Sequence, residues 1–412
     1  MRYLSVAIIL LGILFFAAPA EPSSPSAEPT FIDGDIGFGA IHAISGDGHR
    51  VVFESGSDLT GGNPDGNGEL FMWSDAGGFL QLTDTAGQSH YWEVDVDEDG
   101  SAVLVTARAD ITGVGATLTE IYRWSEGSGW TRLTTTPGAS PLVFIGGIGI
   151  SSNGNRLMFT SRGNYAGVNP TAEEQVFTWD PVVGFAQITH GGPCGIGGGN
   201  FGRDLSGSGT RVLLSSRCQY GSSNADLNTD LFLWDESTGI SPLTDEAHGV
   251  GARATLNHDG TIAAVASSTD LANGGMGAAM HLFRWVEGLG FAQLTTEGVD
   301  NDRPSVSADG NRIAYTALNG QGTGGNPENA PEIFLWQLGY PMVELTDSAQ
   351  STTSFGNERP DLDDRGSRLS MVALRAFNEP IDNRTGYFAL DLWLFADGFE
   401  TGDFLHWSSA IP

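Results

Sequence analysis

A short turn motif recurs seven times along this 412-residue chain, and an apolar run of strand length follows each copy. The copies are GDGHRVVFES (46–55), EDGSAVLVTA (98–107), SNGNRLMFTS (152–161), GSGTRVLLSS (207–216), HDGTIAAVAS (258–267), ADGNRIAYTA (308–317) and DRGSRLSMVA (364–373). Such self-similarity predicts a repeat architecture, in which each unit buries its apolar faces against its neighbours.

Two further elements follow each turn in a fixed order. The second joins a polar, an aliphatic and an aromatic residue and ends in Trp or Phe: ELFMW (69–73), EIYRW (120–124), QVFTW (175–179), DLFLW (230–234), HLFRW (281–285), EIFLW (332–336) and DLWLF (391–395). The third closes six of the seven units: QLT (81–83), RLT (132–134), QIT (187–189), PLT (242–244), QLT (293–295) and ELT (344–346).

Each unit therefore carries four short runs rich in Val, Ile, Phe and Trp, separated by Gly, Asp and Asn turns. Four strands in a unit of about 50 residues is the pattern of one propeller blade. The sequence predicts an all-β, seven-bladed β-propeller of four-stranded antiparallel blades over residues 31–396. We place the blades at about 41–84, 91–135, 145–190, 201–246, 251–296, 301–347 and 356–396.

The seventh unit has no obvious fourth strand. Two segments are candidates for it: FIDGDIGF (31–38), before blade one, and the C-terminal stretch after Phe395. We favour the N-terminal segment, which would latch the ring shut.

The repeated side chains are interpreted as structural. The aromatic residues that end the third strands are expected to fill interfaces between blades: Trp73, Trp124, Trp179, Trp234, Trp285, Trp336 and Phe395. Acids recur at Glu69, Glu120, Asp230, Glu332 and Asp391, with Gln175 and His281 at the same position, and arginines recur at Arg50, Arg156, Arg211, Arg312 and Arg368. We expect each carboxylate to pair with an Arg or to accept backbone N–H groups, an arrangement that specifies register more than it stabilises.

These repeats resemble those of TolB-like propellers, which are relatives of the WD repeats. The resemblance lies in the Ser/Asp-x-Gly turn, the following Gly-x-Arg and the third-strand element, and it covers residues 41–396. It implies the fold; it does not imply one function, because such propellers act as binding platforms, enzyme domains and periplasmic adaptors. The ending DGFETGDFLHWS (397–408), within a C-terminal segment 397–412, resembles a DGFESGD…W ending of exported bacterial proteins; a last edge strand is the alternative.

The N-terminus predicts export. Arg2 supplies a positive charge, residues 6–16 form an apolar core, and Ala18-Pro19-Ala20 is a small-x-small cleavage site. We expect a signal peptide over 1–20, a Pro/Ser-rich tether over 21–30 and a monomer in the periplasm or secreted. No other stretch approaches the ~20 apolar residues of a membrane helix, so membrane insertion is not expected.

The charge of the chain limits its partners. Its net charge is −31, and all 19 basic residues are Arg. Such a surface repels nucleic acid and anionic lipid headgroups. It suits cations or basic protein patches, although acidity also keeps an exported protein soluble.

Cys194 and Cys218 are the two cysteines. In an oxidising compartment an even count predicts a disulfide, which would pin the Gly-rich loop 195–199 to blade four. Two free thiols are the alternative, and two thiols are too few ligands for a metal site.

Long loops between second and third strands predict a binding face. Three contain Asn-Pro: GGNPDGNGE (61–69), GVNPTAEE (167–174) and GGNPENAPE (324–332). Loop length concentrated on one face of a repeat protein is typical of a binding surface. Weak Ca²⁺ candidates are the oxygen-bearing sets Asp65, Asn67 and Glu69, and Asp226, Asn228 and Asp230; ordinary turn-forming residues are the alternative.

The sequence contains neither a Gly-x-Ser-x-Gly elbow nor a His-Glu-x-x-His zinc motif. Glycosidase or lyase chemistry would need carboxylates that converge in the central channel. The densest acid groups, interpreted here as solvated turns, are Asp95, Asp97, Asp99, Asp361, Asp363 and Asp364.

Three functions remain open. The first is a non-catalytic extracytoplasmic propeller that binds a protein or peptide through its long-loop face, with no catalytic residue and no cofactor. The second is a glycosidase, lyase or peptidase that uses channel carboxylates. The third is a structural secreted or surface protein, stabilised by calcium.

Overall fold

A computed structural model describes residues 30–35, 41–86, 90–113, 118–135, 145–165, 167, 169–170, 172–190, 192–195, 198–246, 250, 252–272, 274, 279–299, 304–318, 330–346, 357–373 and 386–392. Its strands form seven four-stranded antiparallel sheets, which confirms the predicted seven-bladed propeller. These ranges contain no helix, and hence none long and apolar enough to cross a membrane.

Each sheet is one blade, and its first strand lines a central channel. Blades one to three comprise β2 (His42–Ile44), β3 (Arg50–Ser55), β4 (Glu69–Ser74) and β5 (Gly78–Gln81); β6 (His90–Val96), β7 (Ala102–Arg108), β8 (Glu120–Ser125) and β9 (Gly129–Arg132); and β10 (Ile145–Ile150), β11 (Leu157–Ser161), β12 (Gln175–Asp180) and β13 (Gly184–Gln187). Blades four and five comprise β14 (Asn200–Leu205), β15 (Arg211–Ser216), β16 (Asp230–Asp235) and β17 (Gly239–Pro242); and β18 (Ala252–Leu256), β19 (Ile262–Ser267), β20 (His281–Val286) and β21 (Gly290–Gln293). Blades six and seven comprise β22 (Ser305–Val306), β23 (Arg312–Ala317), β24 (Glu332–Gln337) and β25 (Val343–Glu344); and β26 (Asn357–Leu362), β27 (Arg368–Ala373), β28 (Gly386–Asp391) and β1 (Thr30–Asp33).

The recurring turn joins the first and second strands of a blade. In blade one the Ser45 hydroxyl accepts the N–H of Arg50 at 3.0 Å and donates to the Asp47 carboxylate at 2.7 Å. Gly48 has φ 78°, and a Cβ there would lie 2.9 Å from the Asp363 carboxylate of blade seven. The turn Gly is needed both for its backbone conformation and for the close approach of the neighbouring blade.

Seven hydrophobic clusters lie between neighbouring blades, one at each interface. Trp73 of blade one, for example, packs with Val372 and Tyr387 of blade seven. The other third-strand tryptophans occupy equivalent positions, and they are Trp124, Trp179, Trp234, Trp285 and Trp336. Because both faces of a blade are covered in this way, the second strands are almost continuously apolar.

The N-terminal segment closes the ring. Strand β1 pairs with β28 in the register Thr30↔Ala389 and Phe31↔Phe388, as the fourth strand of blade seven. The Phe31 and Phe388 rings meet edge to face at 5.3 Å. Residues 36–38 and the stretch after Phe395, also considered for this role, lie outside the described residues.

The third strand of blade seven does not lie where the sequence analysis placed it. We assigned it to DLWLF (391–395), with Asp391 as the repeat acid and Phe395 in the Trp position. The strand is Gly386–Asp391, and Asp391 pairs with Arg368 at its far end, as Ser74 pairs with Arg50 in blade one. Gly386 thus takes the acid position and Leu390 the Trp position; Phe395 lies outside the described residues.

Arginines at the start of second strands join neighbouring blades. Arg50 donates to the carbonyl oxygen of Gly100 at 3.1 Å and pairs with Glu126 at 3.0 Å. The same contact to a turn Gly joins Arg211 to Gly260, Arg312 to Gly366 and Arg368 to Gly48, while Arg156 pairs with Glu236 across its interface. These arginines therefore act between blades and at the opposite end of the strands from the repeat acids.

Blades two and five lack the Gly-x-Arg arginine, and an Arg on the third strand replaces it. Arg123 donates to the Gly154 carbonyl oxygen at 2.9 and 3.0 Å. Arg284 reaches the Gly310 carbonyl oxygen at 2.9 Å, and its guanidinium lies 5.8 Å from the centre of the Trp336 ring. The contact between an arginine and the turn Gly of the next blade is thus kept, although the arginine comes from the third strand instead of the second.

The repeat acids accept hydrogen bonds from the Thr of the third element. Glu69 accepts the Thr83 hydroxyl and the N–H of Thr85. The equivalent hydroxyl donors are Thr134 to Glu120, Thr189 to Gln175, Thr244 to Asp230 and Thr346 to Glu332, and His281 lies beside the Thr295 carbonyl oxygen. The expected pairing with Arg occurs between Glu120 and Arg132 at 2.8 Å. The Thr was not recognised as a partner from the sequence, although it recurs in six units.

Candidate functional site

The central channel contains a cavity of about 330 Å³. The first strands of all seven blades line it, so corresponding positions of the seven repeats surround the cavity. Its polar lining includes Glu93, Asp95, Asp204 and Asp361, together with His42 and Arg359.

Three aspartates occupy one repeat position in this wall, on blades two, four and seven. Asp95 accepts the N–H of Val96 and, at 2.9 Å, the N–H of Ile150 in blade three. Asp204 likewise accepts the N–H groups of Leu205 and, in blade five, Leu256 at 2.7 Å. Each carboxylate therefore joins its own blade to the next.

Asp361 forms the equivalent link between blade seven and blade one, where the ring closes. Its Oδ2 accepts the N–H of Ile44 in blade one at 3.0 Å, and its Oδ1 accepts the hydroxyl of Ser305 in blade six at 3.3 Å. Ser305 in turn accepts the N–H of Leu362 at 2.9 Å. In all three aspartates both oxygens are engaged, so these carboxylates have a structural role.

Bulges in the first strands accompany the aspartates. Register shifts precede Asp95, Asp204 and Asp361 in β6, β14 and β26. A bulge adds a residue and turns the following side chains. The aspartates accept the N–H groups of Ile150, Leu256 and Ile44 in the next blade. The residue immediately before each of these is Gly149, Thr255 and Ala43, respectively. At Gly149 a Cβ would lie 2.8 Å from Cβ of Leu205 in blade four, so this glycine allows the close approach of the next blade.

Burial and neighbouring charges shift the pKa values of two residues that line the channel. Burial, together with the charges of Asp204 and Asp361, raises the pKa of Asp95 to about 8. Burial and the charge of Arg359 lower the pKa of His42 to about 4, so this imidazole is neutral near pH 7. Arg359 has φ 57°, a conformation that is strained for a side chain of this size.

Two polar atoms at the channel wall have no hydrogen-bond partner among the described residues. The Thr255 hydroxyl is one, on a residue only 8% exposed. The other is Nε2 of His42, whose Nδ1 lies 3.0 Å from the Ser370 hydroxyl. A buried hydroxyl without a partner is unfavourable.

The channel end beside the recurring turns is held by hydrogen bonds around the ring. Glu98 donates its N–H to the Ser152 carbonyl oxygen at 3.0 Å, Ser152 to Gly207 at 2.8 Å, and Asp364 to Gly46 at 2.8 Å. The Glu98 carboxyl also hydrogen-bonds the Asp364 carboxyl, and this contact, with burial, raises the pKa of Glu98 to about 7.

The long-loop face, at the other end of the channel, is held by buried asparagines. Asn63 donates to the carbonyl oxygens of Gly56 and Asn67, and Asn169 donates to those of Gly163 and Glu173. Asn224 has the same role in blade four, where no Asn-Pro occurs. The equivalent residues of loop 324–332 lie largely outside the described residues.

The predicted disulfide between Cys194 and Cys218 is present. Cys218 lies two residues after the second strand of blade four, and Cys194 lies in the connection that enters its first strand. The bridge thus ties two loops of the long-loop face together.

Residues of the two sets considered for Ca²⁺ take part in internal hydrogen bonds, and the two asparagines do so through their amide nitrogens. The side-chain amide of Asn67 donates to the Thr85 carbonyl oxygen, and that of Asn228 donates to Asp226 and to the Glu246 carbonyl oxygen. Glu69 and Asp230 accept the repeat threonines, as described above. The described ranges contain no group of three or more His, Cys, Asp or Glu that could hold a metal ion.

The interpretation of the densest acids as solvated turns was wrong for most of them. Asp95 and Asp361 lie in the channel wall, and Asp97 and Asp363 are only 3% and 1% exposed. Asp97 and Asp363 each accept N–H groups of the turn that follows, from Ala102 and Arg368 among others. Asp99 does lie in a turn, where it accepts the N–H of Ser101, and Asp364 lies at the channel end.

Comparison with known proteins supports the fold. No protein-family model matches the chain, and no curated protein matches it. Among solved structures, an oligogalacturonate lyase from Vibrio parahaemolyticus is similar at 10% identity, with 90% of this chain and 94% of that chain covered and a TM-score of 0.59. An oligogalacturonate lyase in complex with manganese is similar at 13% identity, with the same coverages and a TM-score of 0.56.

A structure of TolB from Acinetobacter baumannii is also similar. The identity is 14%, the TM-score is 0.44, and the match covers 71% of this chain but only 62% of the TolB chain. At these identities the similarities to the two lyases show the fold alone.

Proposed function

We propose that this protein is a non-catalytic propeller that acts outside the cytoplasm and binds a protein or peptide at the channel mouth on its long-loop face. The observation that carries the proposal is the engagement of the channel aspartates. Both oxygens of Asp95, Asp204 and Asp361 accept hydrogen bonds from the protein. A general acid or base needs a free oxygen directed at a substrate.

Internal contacts in the described part of the long-loop face support binding. Asn63, Asn169 and Asn224 are at most 3% exposed and hold their loops from within. The disulfide joins the loop held by Asn224 to one further connection, which contains Cys194. Loops that are ordered before binding lose less conformational entropy when a partner arrives.

The channel mouth offers both a recess and an aromatic anchor. Trp92 lines the cavity and is 50% exposed, beside His90 at a ring-centre distance of 6.2 Å. Exposed tryptophans near a recess are frequent anchors of protein and peptide binding.

Three features support an extracytoplasmic location. They are the expected signal peptide over residues 1–20, the disulfide and the excess of negative charge. Disulfides persist in oxidising compartments.

Selection of displayed peptides on the immobilised protein tests the proposal. Peptides that are enriched should bind the protein in solution, and Trp92→Ala should weaken binding about tenfold or more. Leu289→Ala is the matched control, because Leu289 is 85% exposed in the turn between the third and fourth strands, on the opposite face. Equal weakening by both variants, or no enriched peptide, would contradict the proposal.

The two alternatives are tested on the same protein. Turnover of a peptide or oligosaccharide library, lost in Asp204→Asn, would replace binding with catalysis. A calcium-stabilised structural protein would melt at a lower temperature in chelator than in Ca²⁺, whereas we expect the two melting temperatures to agree.

A further inference from the structure

The channel mouth on the long-loop face carries arginine side chains, although the net charge of the chain is −31. The first strands begin at this mouth, because the recurring turns at their other ends lead into the second strands. Arg253 lies near the start of β18 and Arg359 lies in β26, and both side chains are exposed. Arg359 also lines the cavity. The mouth therefore presents positively charged groups from blades five and seven.

Arg253 and Arg359 occupy one repeat position, three residues before the apolar residue that ends the first strand. In the sequence of blade six Arg303 has the same position, but it lies outside the described residues. The equivalent residues of blades one to four are Ile41, Glu93, Gly147 and Gly202. A Cβ at Gly147 would lie 2.3 Å from the Gly202 carbonyl oxygen, so blades three and four are packed closely where blades five and seven carry arginine.

Two arginines on this side of the ring are not used to hold the fold. Arg108 and Arg253 have no hydrogen-bond or ion-pair partner among the described residues. The arginines at the start of the second strands, in contrast, bind carbonyl oxygens of neighbouring blades. Arg108 is the last residue of β7 and is exposed. It pairs in register with His90, whose ring lies 6.2 Å from that of Trp92, so this guanidinium belongs to the same mouth.

The chemistry of these groups selects an anion. A guanidinium carries only N–H donors and keeps its charge at any ordinary pH, and it binds a carboxylate through two parallel hydrogen bonds. Carboxylates of the long loops are occupied within their own loops: Asp58 accepts the N–H of Asn63, and Asp270 accepts those of Ala272 and Gly274. The arginines are therefore available to the carboxylates of a partner.

We propose that the partner bound at this mouth is an acidic peptide segment, whose carboxylates pair with Arg108, Arg253 and Arg359 while its aliphatic groups pack on Trp92. This inference rests on the proposed function and names the chemistry of the partner. The Trp92 ring is 50% exposed and lines the cavity, so it can cover the methylene groups of a Glu side chain.

The net charge of −31 is compatible with such a partner if the acidic segment is short. At physiological ionic strength the Debye length is about 8 Å. Carboxylates elsewhere on the surface therefore act weakly at the mouth, whereas a hydrogen-bonded pair at about 3 Å is little screened. A partner that is acidic over its whole surface would be repelled before contact.

Calorimetry at about 0.15 M salt, where this screening holds, tests the inference. The probes are hexaglutamate and hexaglutamine, each acetylated and amidated at its ends, which share a shape and differ in charge. We expect hexaglutamate to bind at least about tenfold more tightly, because several charge-assisted pairs form together. Arg253→Gln should weaken its binding about threefold, and Arg108→Gln with Arg253→Gln about tenfold.

Arg365→Gln is the matched control. Arg365 is exposed in the recurring turn of blade seven, at the opposite end of the channel, and it also has no partner among the described residues. Its replacement removes an equal charge and should leave binding unchanged. All these side chains are exposed, so thermal stability should be kept in each variant. Equal binding of the two hexapeptides, or equal weakening by Arg253→Gln and Arg365→Gln, would overturn the inference.

The proposed function and this inference fail in different ways. Displayed peptides that are enriched and depend on Trp92, but lack Asp and Glu, would overturn the acidic partner and leave the binding function in place. Absence of binding by every displayed peptide and by both hexapeptides would overturn both.

Discussion

Asp361 accepts the backbone N–H of Ile44 at 3.0 Å, across the seam where the last blade meets the first. Arg368 strengthens the same seam by donating to the Gly48 carbonyl oxygen at 3.2 Å, and β1 completes the last blade from the other end of the chain. Closure of the ring therefore depends on contacts between residues more than three hundred positions apart. Removing these contacts tests how much ring closure contributes to stability.

Deletion of the latch strand should destabilise the protein strongly. Removing residues 21–33 takes away the buried Ile32 and the carboxylate of Asp33, which accepts the hydroxyls of Ser55 and Ser57. We expect the free energy of unfolding to fall by more than about 3 kcal/mol, measured by urea denaturation. Deletion of 21–29 alone leaves β1 intact and is the control. Equal midpoints for the two deletions would mean that β1 does not close the ring.

The fold was predictable because its signal is repeated. Seven turns and six third-strand tryptophans define the period, and the tryptophans mark the interfaces between blades. In blade seven the same logic failed, because DLWLF matches the repeat better than GYFALD does. Pairing with Arg368 and Ala373, rather than local similarity, determines the register there.

The channel was not predictable in the same way. Asp95 and Asp361 lie next to acidic turns in the sequence, and nothing local distinguishes them from solvated residues. Their burial follows from the position of the first strand at the centre of a closed ring, and their partners Ile150 and Ile44 belong to other blades. A comparison of the seven first strands with one another, allowing for bulges, would have shown Asp at one position in three of them.

Arg284 offers a test of how the blades are joined. Arg284→Leu removes the hydrogen bond to the Gly310 carbonyl oxygen and the contact with Trp336, and we expect a loss of about 1–3 kcal/mol in the free energy of unfolding. Restoring the Gly-x-Arg motif by Ile262→Arg in the same variant should recover part of this loss. The single variant Ile262→Arg gives the loss of free energy of unfolding caused by that substitution alone. If the double variant loses this full amount in addition to the loss in Arg284→Leu, the two arginine positions are not equivalent.

The disulfide should contribute substantially to stability. Cys194 and Cys218 are 24 residues apart in the chain, and a closed loop of this length corresponds to about 3 kcal/mol. We expect Cys194→Ser with Cys218→Ser to lower the unfolding midpoint in urea accordingly. Reduction of the unchanged protein should have the same effect and should have none on the double variant. A midpoint in the double variant equal to that of the oxidised protein would show that the bridge is not stabilising.

His42 should make stability depend on pH. Its pKa is about 4 in the folded protein against an ordinary 6.5, because burial and the charge of Arg359 disfavour the imidazolium. The unfolded chain therefore binds more protons between these values, and the contribution of His42 to stability, full above pH 6.5, is lost as the pH falls through 6.5 toward 4. We expect His42→Gln to lose less stability than the wild type over this interval, by about 1.4 kcal/mol for each pKa unit of difference. The exposed His190→Gln is the control for the other titrating groups, and urea midpoints at several pH values provide the measurement. Parallel pH profiles for the wild type and His42→Gln would show that the channel does not hold this imidazole neutral.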